Sequence, residues 1–193
     1  MTDRWNHNTQ YHPLVLRAVR PGHRSALDVG CGEGQLTREL RAVLPEVTGV
    51  DADGPSIDLA RAQDPEGTVR YLHGDALTLD LPPADVVTAV AVLHHVDAAE
   101  GLRRLRELVA PGGTLVVIGL ARGERRDLAV DLTATAAHRL ITLRRTEWEH
   151  PSPTVWPPPQ TYAEVRRTAE EVLPGVRYRR HLLWRYSLTW SRA

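Results

Sequence analysis

The sequence predicts an α/β fold built on a doubly wound, mostly parallel sheet. Between residues 25 and 119, short apolar segments alternate with segments whose apolar residues recur every three or four positions, which is the rhythm of strands and helices in such a sheet. Residues 84–93 and 114–119 are apolar almost without interruption, as expected for strands buried on both faces. Ligands of such sheets bind at the carboxyl ends of the strands, so the residues that follow each strand are the candidates for function.

Length and composition agree with one domain of this kind. The chain has 193 residues, 42% of them apolar, with zero net charge and a pI near 7.1, so we expect no strong attraction to nucleic acids or anionic membranes. The only cysteine, Cys31, excludes an intrachain disulfide framework. The start is polar and no apolar run approaches about 20 residues, so we expect neither a signal peptide nor a membrane span, and a cytoplasmic protein.

The first 24 residues combine a polar start with a short amphipathic segment that predicts a helix. Pro13 stands where a helix can begin, and Pro21 with Gly22 ends it. The start is dense in aromatic and imidazole side chains, which are Trp5, His7, Tyr11 and His12. A surface helix with a frayed start is one interpretation, and a functional segment is the other.

Residues 25–40 predict a strand, a glycine-rich turn and a helix with an apolar face. Gly30, Gly32 and Gly34 alternate through the turn, where glycine permits a positive φ and lets a ligand lie against the main chain. A helix that begins there directs unpaired N–H donors and a partial positive charge at such a ligand.

The spacing of this turn excludes two common nucleotide sites. A dinucleotide site has G-x-G-x-x-G, but Gln35 stands where the third glycine belongs. The chain has no lysine, so the phosphate-binding G-x-x-x-x-G-K-[ST] loop is absent as well. Asp28 ends the strand instead, and its carboxylate would repel a pyrophosphate but suits a cationic amine. The turn therefore predicts a ligand with an ammonium group.

The second predicted strand, residues 46–51, also ends in a carboxylate, that of Asp51. Its distance in sequence from Asp28 is one strand–helix–strand unit, so both carboxylates reach the same sheet edge. Asp51 can accept hydrogen bonds from two ribose hydroxyls, one on each oxygen. The alternative is a cap for the next helix, but Asp53 and Ser56 already offer one, so we favour the ribose interpretation.

The third and fourth predicted strands add further polar groups to this edge. Residues 69–72 are followed by Asp75, and residues 84–96 carry the fourth strand and lead to His94 and His95. Imidazole has an unperturbed pKa near neutrality, so either histidine is a candidate general base. Because adjacent side chains diverge, we expect only one to face the ligand. A histidine that is hydrogen-bonded in a strand–helix corner is the alternative.

Residues 97–160 continue the alternation and then depart from it. A capping pattern at Asp97 opens a helix that leads to the fifth strand, residues 114–119. Apolar residues at helical spacing predict one long helix over residues 127–145. The proline-rich loop that follows carries Trp148 and Trp156. It is either a substrate wall or lid, or an ordinary connector.

The end of the chain predicts one more helix and two strands. A capping box at Thr161 opens the helix, and residues 176–191 have β-type composition with a turn near Leu183 and Trp184. The arginines at positions 177, 179 and 180 could indicate an anion site, but charges of this kind are typical of a solvated edge strand.

The motif D-x-G-x-G-x-G from Asp28 to Gly34, followed in order by Asp51, by Asp75 with Ala76 and by the exit of the fourth strand, resembles the class I S-adenosylmethionine-dependent methyltransferases of the small-molecule type. The resemblance is strong over residues 25–120 and extends to the end of the chain by topology only. It implies a Rossmann-like, doubly wound, seven-stranded sheet with an antiparallel C-terminal strand. It also implies S-adenosylmethionine as cofactor and a small-molecule methyl acceptor.

The resemblance also implies a division of the chain and roles for its residues. One domain over residues 1–193 would comprise an N-terminal cap segment (1–24), a cofactor-binding core (25–120), a helix with a proline-rich substrate-side insertion (121–160), and a C-terminal helix and hairpin (161–193). Asp51 would hold the ribose, Asp75 would accept from the adenine amino group, and the N–H of Ala76 would donate to the ring. The implied cofactor-binding residues are Asp28, Gly30, Cys31, Gly32, Gly34, Asp51, Ala52, Asp75, Ala76 and Ala91. The implied substrate-binding residues are Trp5, His7, Tyr11 and Trp156.

The implied methyl transfer needs no covalent bond between the substrate and the protein. The sulfonium is already an activated leaving group, so the protein aligns the acceptor and excludes water. A weakly nucleophilic acceptor would also need a base, for which His94 and His95 are the candidates. No metal-ligand spacing stands out, and we expect a monomer or homodimer. Two other functions remain open: a binding protein that keeps the cofactor without transfer, and a nicotinamide oxidoreductase, which Gln35 opposes.

Overall fold

The computed structural model describes residues 5–124, 127–148 and 155–193, and within its long helix the side chains of residues 128, 129 and 131 are not described. These residues form one seven-stranded sheet. Its strands are β1 (Ser25–Val29), β2 (Glu46–Asp51), β3 (Arg70–His73), β4 (Ala84–Val90), β5 (Val109–Gly119), β6 (Arg177–Arg180) and β7 (Tyr186–Ser191). The helices are α1 (His12–Leu16), α2 (Gln35–Arg41), α3 (Gly54–Ala62), α4 (Ala98–Leu108), α5 (Leu128–Thr142) and α6 (Tyr162–Val172).

The strand order is β3-β2-β1-β4-β5-β7-β6. Strands β1 to β5 pair in parallel, whereas β7 pairs antiparallel with both β5 and β6. The predicted Rossmann-like, doubly wound sheet with an antiparallel C-terminal strand is therefore confirmed. The order reverses between β1 and β4, and the loops after these strands open a crevice at that point, where ligands bind in such sheets.

The core lies on both faces of β4 and β5. Val86 and Val87 are fully buried but belong to different apolar clusters, because successive side chains of a strand point to opposite faces. Helices α4 and α6 cover the cluster that contains Val87, and α1 and α2 cover the one that contains Val86. Burial on both faces explains the continuous apolar sequence of these strands.

Strands β5 and β3 begin at residues other than those that the sequence predicts. Strand β5 begins at Val109 rather than at residue 114, because Val109 pairs with Ala84 before a register shift between Ala84 and Val86. Strand β3 begins one residue later than predicted, at Arg70. Both changes lie at the ends of strands, which local composition marks poorly.

Helix α5 forms where helical spacing predicts it, but three leucines of the predicted apolar face are exposed to solvent. Leu132, Leu140 and Leu143 are 70%, 62% and 81% exposed, whereas Ala134 is buried. The helix therefore packs on the protein through a small residue and presents its apolar stripe outward. In the part of the chain that the structure describes, no helix is both long and apolar enough to span a membrane.

Candidate functional site

A pocket of about 1080 Å³ opens at the carboxyl ends of β1, β2 and β4. All the cofactor-binding residues that the resemblance implies line it except Gly34, and so do His7, His94, His95 and Trp156. A typical small-molecule site encloses roughly 300–1,000 Å³, so this pocket has room for a cofactor and an acceptor together. Parallel strands end at one edge, which is why residues far apart in sequence meet here.

The glycine turn forms the floor of the pocket beside β1. Gly30 and Gly34 have φ values of +68° and +77°, a region that a side chain disfavours. The Gly30 and Cys31 N–H groups both donate to the carbonyl of Val50, at 2.8 and 3.1 Å. A Cβ on Gly30 would lie 2.2 Å from Cγ2 of Val92. The turn thus requires glycine both for its backbone conformation and for its close approach to the loop after β4.

Asp28 lies beneath this turn as a buried carboxylate, 2% exposed. Its two oxygens accept hydrogen bonds from the hydroxyls of Thr88 and Thr37, each at 2.7 Å. Burial raises the pKa of Asp28 to about 6, although both hydroxyls and the nearby His12 act to lower it. Near the turn, Oε1 of Gln35 is also buried and has no hydrogen-bond partner among the described residues. These two acceptors would suit a cationic amine.

Asp51 connects the glycine turn to the loop that follows β2. One of its oxygens accepts from the Gly32 N–H at 2.7 Å and the other from the Asp53 N–H at 2.8 Å. Each carboxylate oxygen can accept a second hydrogen bond, so Asp51 keeps capacity for a ligand. Asp75, which is exposed, accepts from the Leu77 N–H at 2.9 Å, and this bond shapes the loop after β3.

The loop after β4 brings both candidate bases to the pocket. Ala91 has a φ of +57°, and residues 93–95 form a single 3-10 turn. His94 and His95 both line the pocket, with ring centroids 4.0 Å apart. We expected only one of the two histidines to face the site, but both line the pocket. They lie in a 3-10 turn, in which successive side chains do not point to opposite faces as they do in a strand.

The two histidines differ in environment. His94 is half-buried, and burial, then the neighbouring charges of His95 and Arg185, lower its pKa to about 4. Its Nδ1 is buried and has no hydrogen-bond partner among the described residues. His95 is exposed, and burial lowers its pKa while Asp51 acts to raise it. At pH 7 His94 is therefore a neutral imidazole, the form in which it can accept a proton.

The N-terminal segment contributes to the pocket through residues that differ in part from those expected. Trp5 is buried, 2% exposed, and donates through its indole N–H to Gln10 at 2.7 Å. The hydroxyl of Tyr11 donates to the carbonyl of Leu182. Neither Trp5 nor Tyr11 lines the pocket, whereas His7 and His12 do, together with three residues that were not predicted: Asn6, Asn8 and Thr9. The polar sequence gave no periodic signal that separates these two groups.

His7 also joins a row of polar side chains at the pocket wall. Its Nε2 lies 3.0 Å from Nδ1 of His138, and its Nδ1 lies 3.6 Å from Oε1 of Glu147. Ligand atoms of the three residues lie within 4.8 Å of one another, a spacing that a metal ion could use. Both His7 nitrogens already face these two partners. The expectation that no metal binds stays a prediction.

The loop after α5 reaches the same pocket. Trp148, Val155 and Trp156 line it, and Trp156 is 75% exposed. The Trp148 N–H donates to the carbonyl of Trp5 at 2.8 Å, which ties this loop to the N-terminal segment. This position favours the substrate-wall interpretation over an ordinary connector. Residues 149–154 of the proline-rich stretch lie outside the described residues.

Arg185 is a cation of the pocket lining that the sequence did not single out. It stands at the start of the hairpin strand β7, lines the pocket, and donates through Nε to the side chain of Asn8 at 3.0 Å. The arginines that drew attention in the sequence lie on β6, where Arg177 and Arg179 are exposed. Arg180 there bonds Asp127 and stacks over Tyr162. Only the fold of the hairpin distinguishes Arg185 from its neighbours.

Comparisons with known proteins agree with this geometry. Residues 27–117 match the family described as methyltransferase domain. An uncharacterised methyltransferase of Mycobacterium tuberculosis is 39% identical over 193 residues, which cover 98% of each chain. The mitochondrial ubiquinone biosynthesis O-methyltransferase of Schizosaccharomyces pombe is 35% identical over 127 residues, which cover 62% of this chain and 45% of that one.

Among solved structures, the magnesium protoporphyrin IX methyltransferase of Synechocystis PCC 6803, with S-adenosylhomocysteine bound, has a TM-score of 0.64. Its identity is 18%, and the match covers 97% of this chain and 83% of that chain. At this identity the likeness supports the fold alone.

Proposed function

Because the chain belongs to the family of S-adenosylmethionine-dependent methyltransferases, we propose that it binds S-adenosylmethionine in the pocket after β1, β2 and β4 and methylates a small molecule. The observation that carries this proposal is the meeting of the glycine turn, three carboxylates and a neutral imidazole in one cavity of about 1080 Å³. Its size supports a cofactor and an acceptor bound side by side.

The polar groups of the pocket fit the cofactor in chemistry. The buried carboxylate of Asp28 and the unpartnered Oε1 of Gln35 would face the ammonium group. Asp51 would hold the ribose with the acceptor capacity that its two backbone bonds leave free. Asp75 and the N–H of Ala76 would bind the adenine edge, and the bare backbone at Gly30 would let the ligand approach.

The cofactor, when bound, supplies an activated methyl group, and the side chains of this chain provide the alignment. Trp148 and Trp156 form the outer wall and would exclude water from the acceptor. His94 carries its free Nδ1 into a half-buried position and is neutral at pH 7. It would accept the proton of an acceptor whose nucleophilic atom is protonated.

The proposed role of Asp51 leads to a binding experiment. We expect Asp51→Asn to weaken the affinity for S-adenosylhomocysteine by about 1–3 kcal/mol, because a charged hydrogen bond to the ribose is lost. Isothermal titration calorimetry measures this change. Asn keeps one acceptor for the backbone N–H groups, whereas Asp51→Ala would also disrupt the turn. Asp58→Asn is the matched control, since Asp58 lies on α3 outside the pocket and pairs with Arg61. Equal affinities of all three proteins would refute the ribose assignment.

Transfer itself is tested with labelled S-adenosylmethionine and a panel of phenols, amines and carboxylic acids. Label in any of these small molecules supports the proposal. Tight cofactor binding with no transfer to any class would favour the alternative, a binding protein that keeps the cofactor fold without catalysis.

A further inference from the structure

Arg185 is a positive charge in the pocket wall that no carboxylate of the described residues neutralises. Its Nε donates to Asn8, and its Nη1 donates to the carbonyls of Leu183 and Trp184 at 3.3 and 3.5 Å. Among the described residues, no carboxylate lies within ion-pair distance of its guanidinium. Its Nη2 donates to no acceptor of these residues. An enclosed charge without a counter-ion is unfavourable, so the protein retains a cost that a ligand could remove.

The charge of Arg185 acts on the substrate side of the pocket. Arg185, His7 and His94 all line the pocket. Burial and then the charge of Arg185 lower the pKa of His7, and burial, His95 and Arg185, in that order, lower the pKa of His94. Burial lowers the pKa of Arg185, and among the charges that act to raise it is that of Glu147, whose carboxylate lies beyond ion-pair distance and 3.6 Å from Nδ1 of His7. Arg185 is bonded to Asn8 and to the turn before β7, whereas Asp28 is bonded to Thr37 and Thr88 beneath the glycine turn.

Arg185 places a guanidinium in the pocket wall at this point, and Glu147, which also lines the pocket, lies beyond ion-pair distance of it. Burial lowers the pKa of Arg185 to about 10, so the guanidinium stays charged at pH 7. The adjacent histidines, His7 and His94, both have a pKa of about 4 and are neutral there. One positive charge matches a carboxylate, whereas a phosphate dianion would need a second cation. A planar guanidinium with one free nitrogen can donate to a carboxylate oxygen.

We propose that Arg185 binds a carboxylate group of the methyl acceptor, so that the substrates of this enzyme are small organic acids. The inference rests on the proposed function, since it names the acceptor class of the same pocket. The carboxylate acts here as an anchor that orients the acceptor between the His94 side and the tryptophan wall. Arg185 also ties the N-terminal segment to the β6–β7 turn, and this structural role alone would leave no preference among ligands.

The test compares acids with their uncharged analogues of the same shape. Benzoate and hexanoate are titrated against benzamide and hexanamide by ligand-observed NMR, with and without saturating S-adenosylhomocysteine. We expect at least one acid to bind the wild-type protein about ten- to a hundred-fold more tightly than its amide, the range of a charged hydrogen bond. Equal binding of acid and amide in both pairs would overturn the proposal.

Variants assign the preference to this side chain. Arg185→Gln should abolish the preference for the acid, Arg185→Lys should retain part of it, and Arg179→Gln, on the exposed face of the same hairpin, should leave it unchanged. Thermal unfolding checks that each variant is folded, and the Lys variant keeps the test valid if Gln destabilises the hairpin. An acid preference that survives in Arg185→Gln would overturn the proposal.

Two further results separate this inference from the proposed function. If Arg185→Gln weakens S-adenosylhomocysteine and leaves the acid preference intact, Arg185 holds the cofactor's own carboxylate and the inference is wrong. If the wild-type protein binds no S-adenosylhomocysteine, the proposed function fails, and the titrations without it still decide whether Arg185 binds a carboxylate.

Discussion

At the scale of single residues, the pair His94 and His95 shows how neighbours acquire different chemistry. Both stand in the same 3-10 turn and line the same pocket. His94 is half-buried with an unpartnered Nδ1, and its pKa is about 4. His95 is exposed; burial lowers its pKa, and the negative charge of Asp51 acts to raise it. The unpartnered Nδ1 therefore makes His94 the candidate base, although a pKa of about 4 makes its imidazole a weaker proton acceptor than an ordinary histidine.

This difference predicts unequal effects of matched substitutions. With an acceptor that requires deprotonation, His94→Gln should lower kcat by about 10²–10⁴-fold, whereas His95→Gln should change it little. Because a base acts in its neutral form, kcat should be independent of pH from 8 down to about 5 and fall as the pH approaches 4. Steady-state kinetics across this range measures both effects. A larger loss for His95→Gln would reverse the assignment.

At the scale of elements, the glycine turn combines two constraints that a sequence motif does not separate. Gly30 has a positive φ and also lies against Val92. Gly67 has a similar φ of +61°, but a Cβ there would meet nothing within 4 Å. The two positions therefore separate backbone strain from crowding.

We expect Gly67→Ala to cost about 1–2 kcal/mol of the free energy of unfolding, the strain of a left-handed alanine. Gly30→Ala should cost a further 1–3 kcal/mol or so, because its methyl group would overlap Val92. Urea denaturation measures both values. Adding Val92→Ala to Gly30→Ala should restore part of the loss, and equal costs at positions 30 and 67 would show that crowding plays no role.

Helix α5 illustrates the limit of periodicity at this scale. The spacing of Leu132, Leu140 and Leu143 correctly predicts a helix, but all three side chains are exposed. Periodicity reports which residues share a face, and the packing of other elements decides whether that face is covered. Here His138 and Ala134 face the protein, and His138 meets His7 from the N-terminal segment.

At the scale of the whole molecule, buried ionisable groups couple stability to pH. His7 and His94 have a pKa of about 4 in the folded protein against 6.5 or so when unfolded. As the pH falls below 6.5, the unfolded chain binds protons that the folded protein does not, so these histidines lower stability in acid. Asp28, with a pKa raised to about 6, opposes them, because its folded form binds a proton first as the pH falls.

The two histidines outweigh the single aspartate, so the free energy of unfolding should be about 1–3 kcal/mol lower at pH 5 than at pH 7. Urea denaturation at both pH values tests this. Asp28→Asn removes the opposing group and should steepen the dependence, whereas His7→Gln should make it shallower. A protein that is more stable at pH 5 than at pH 7 would contradict the expected balance.

The amino-acid sequence by itself determined the sheet, its direction and one edge of the site. Apolar runs and helical spacing mark strands and helices because they reflect local geometry. Asp28, Asp51, Asp75 and His94 could be placed together because parallel strands all end at the same edge. The order of these residues then indicated the cofactor.

Only the tertiary structure decided which side chains complete the pocket. Arg185 reaches Asn8 across 177 residues of sequence, and His7 meets His138 across 131. Trp5 is buried and does not line the pocket, although its neighbours in sequence, Asn6 and His7, do. Such contacts depend on how the N-terminal segment, α5 and the β6–β7 hairpin pack together, and no local period encodes that packing. The proposed cofactor end of the pocket is therefore readable from the sequence, whereas the proposed acceptor end depends on how the chain folds.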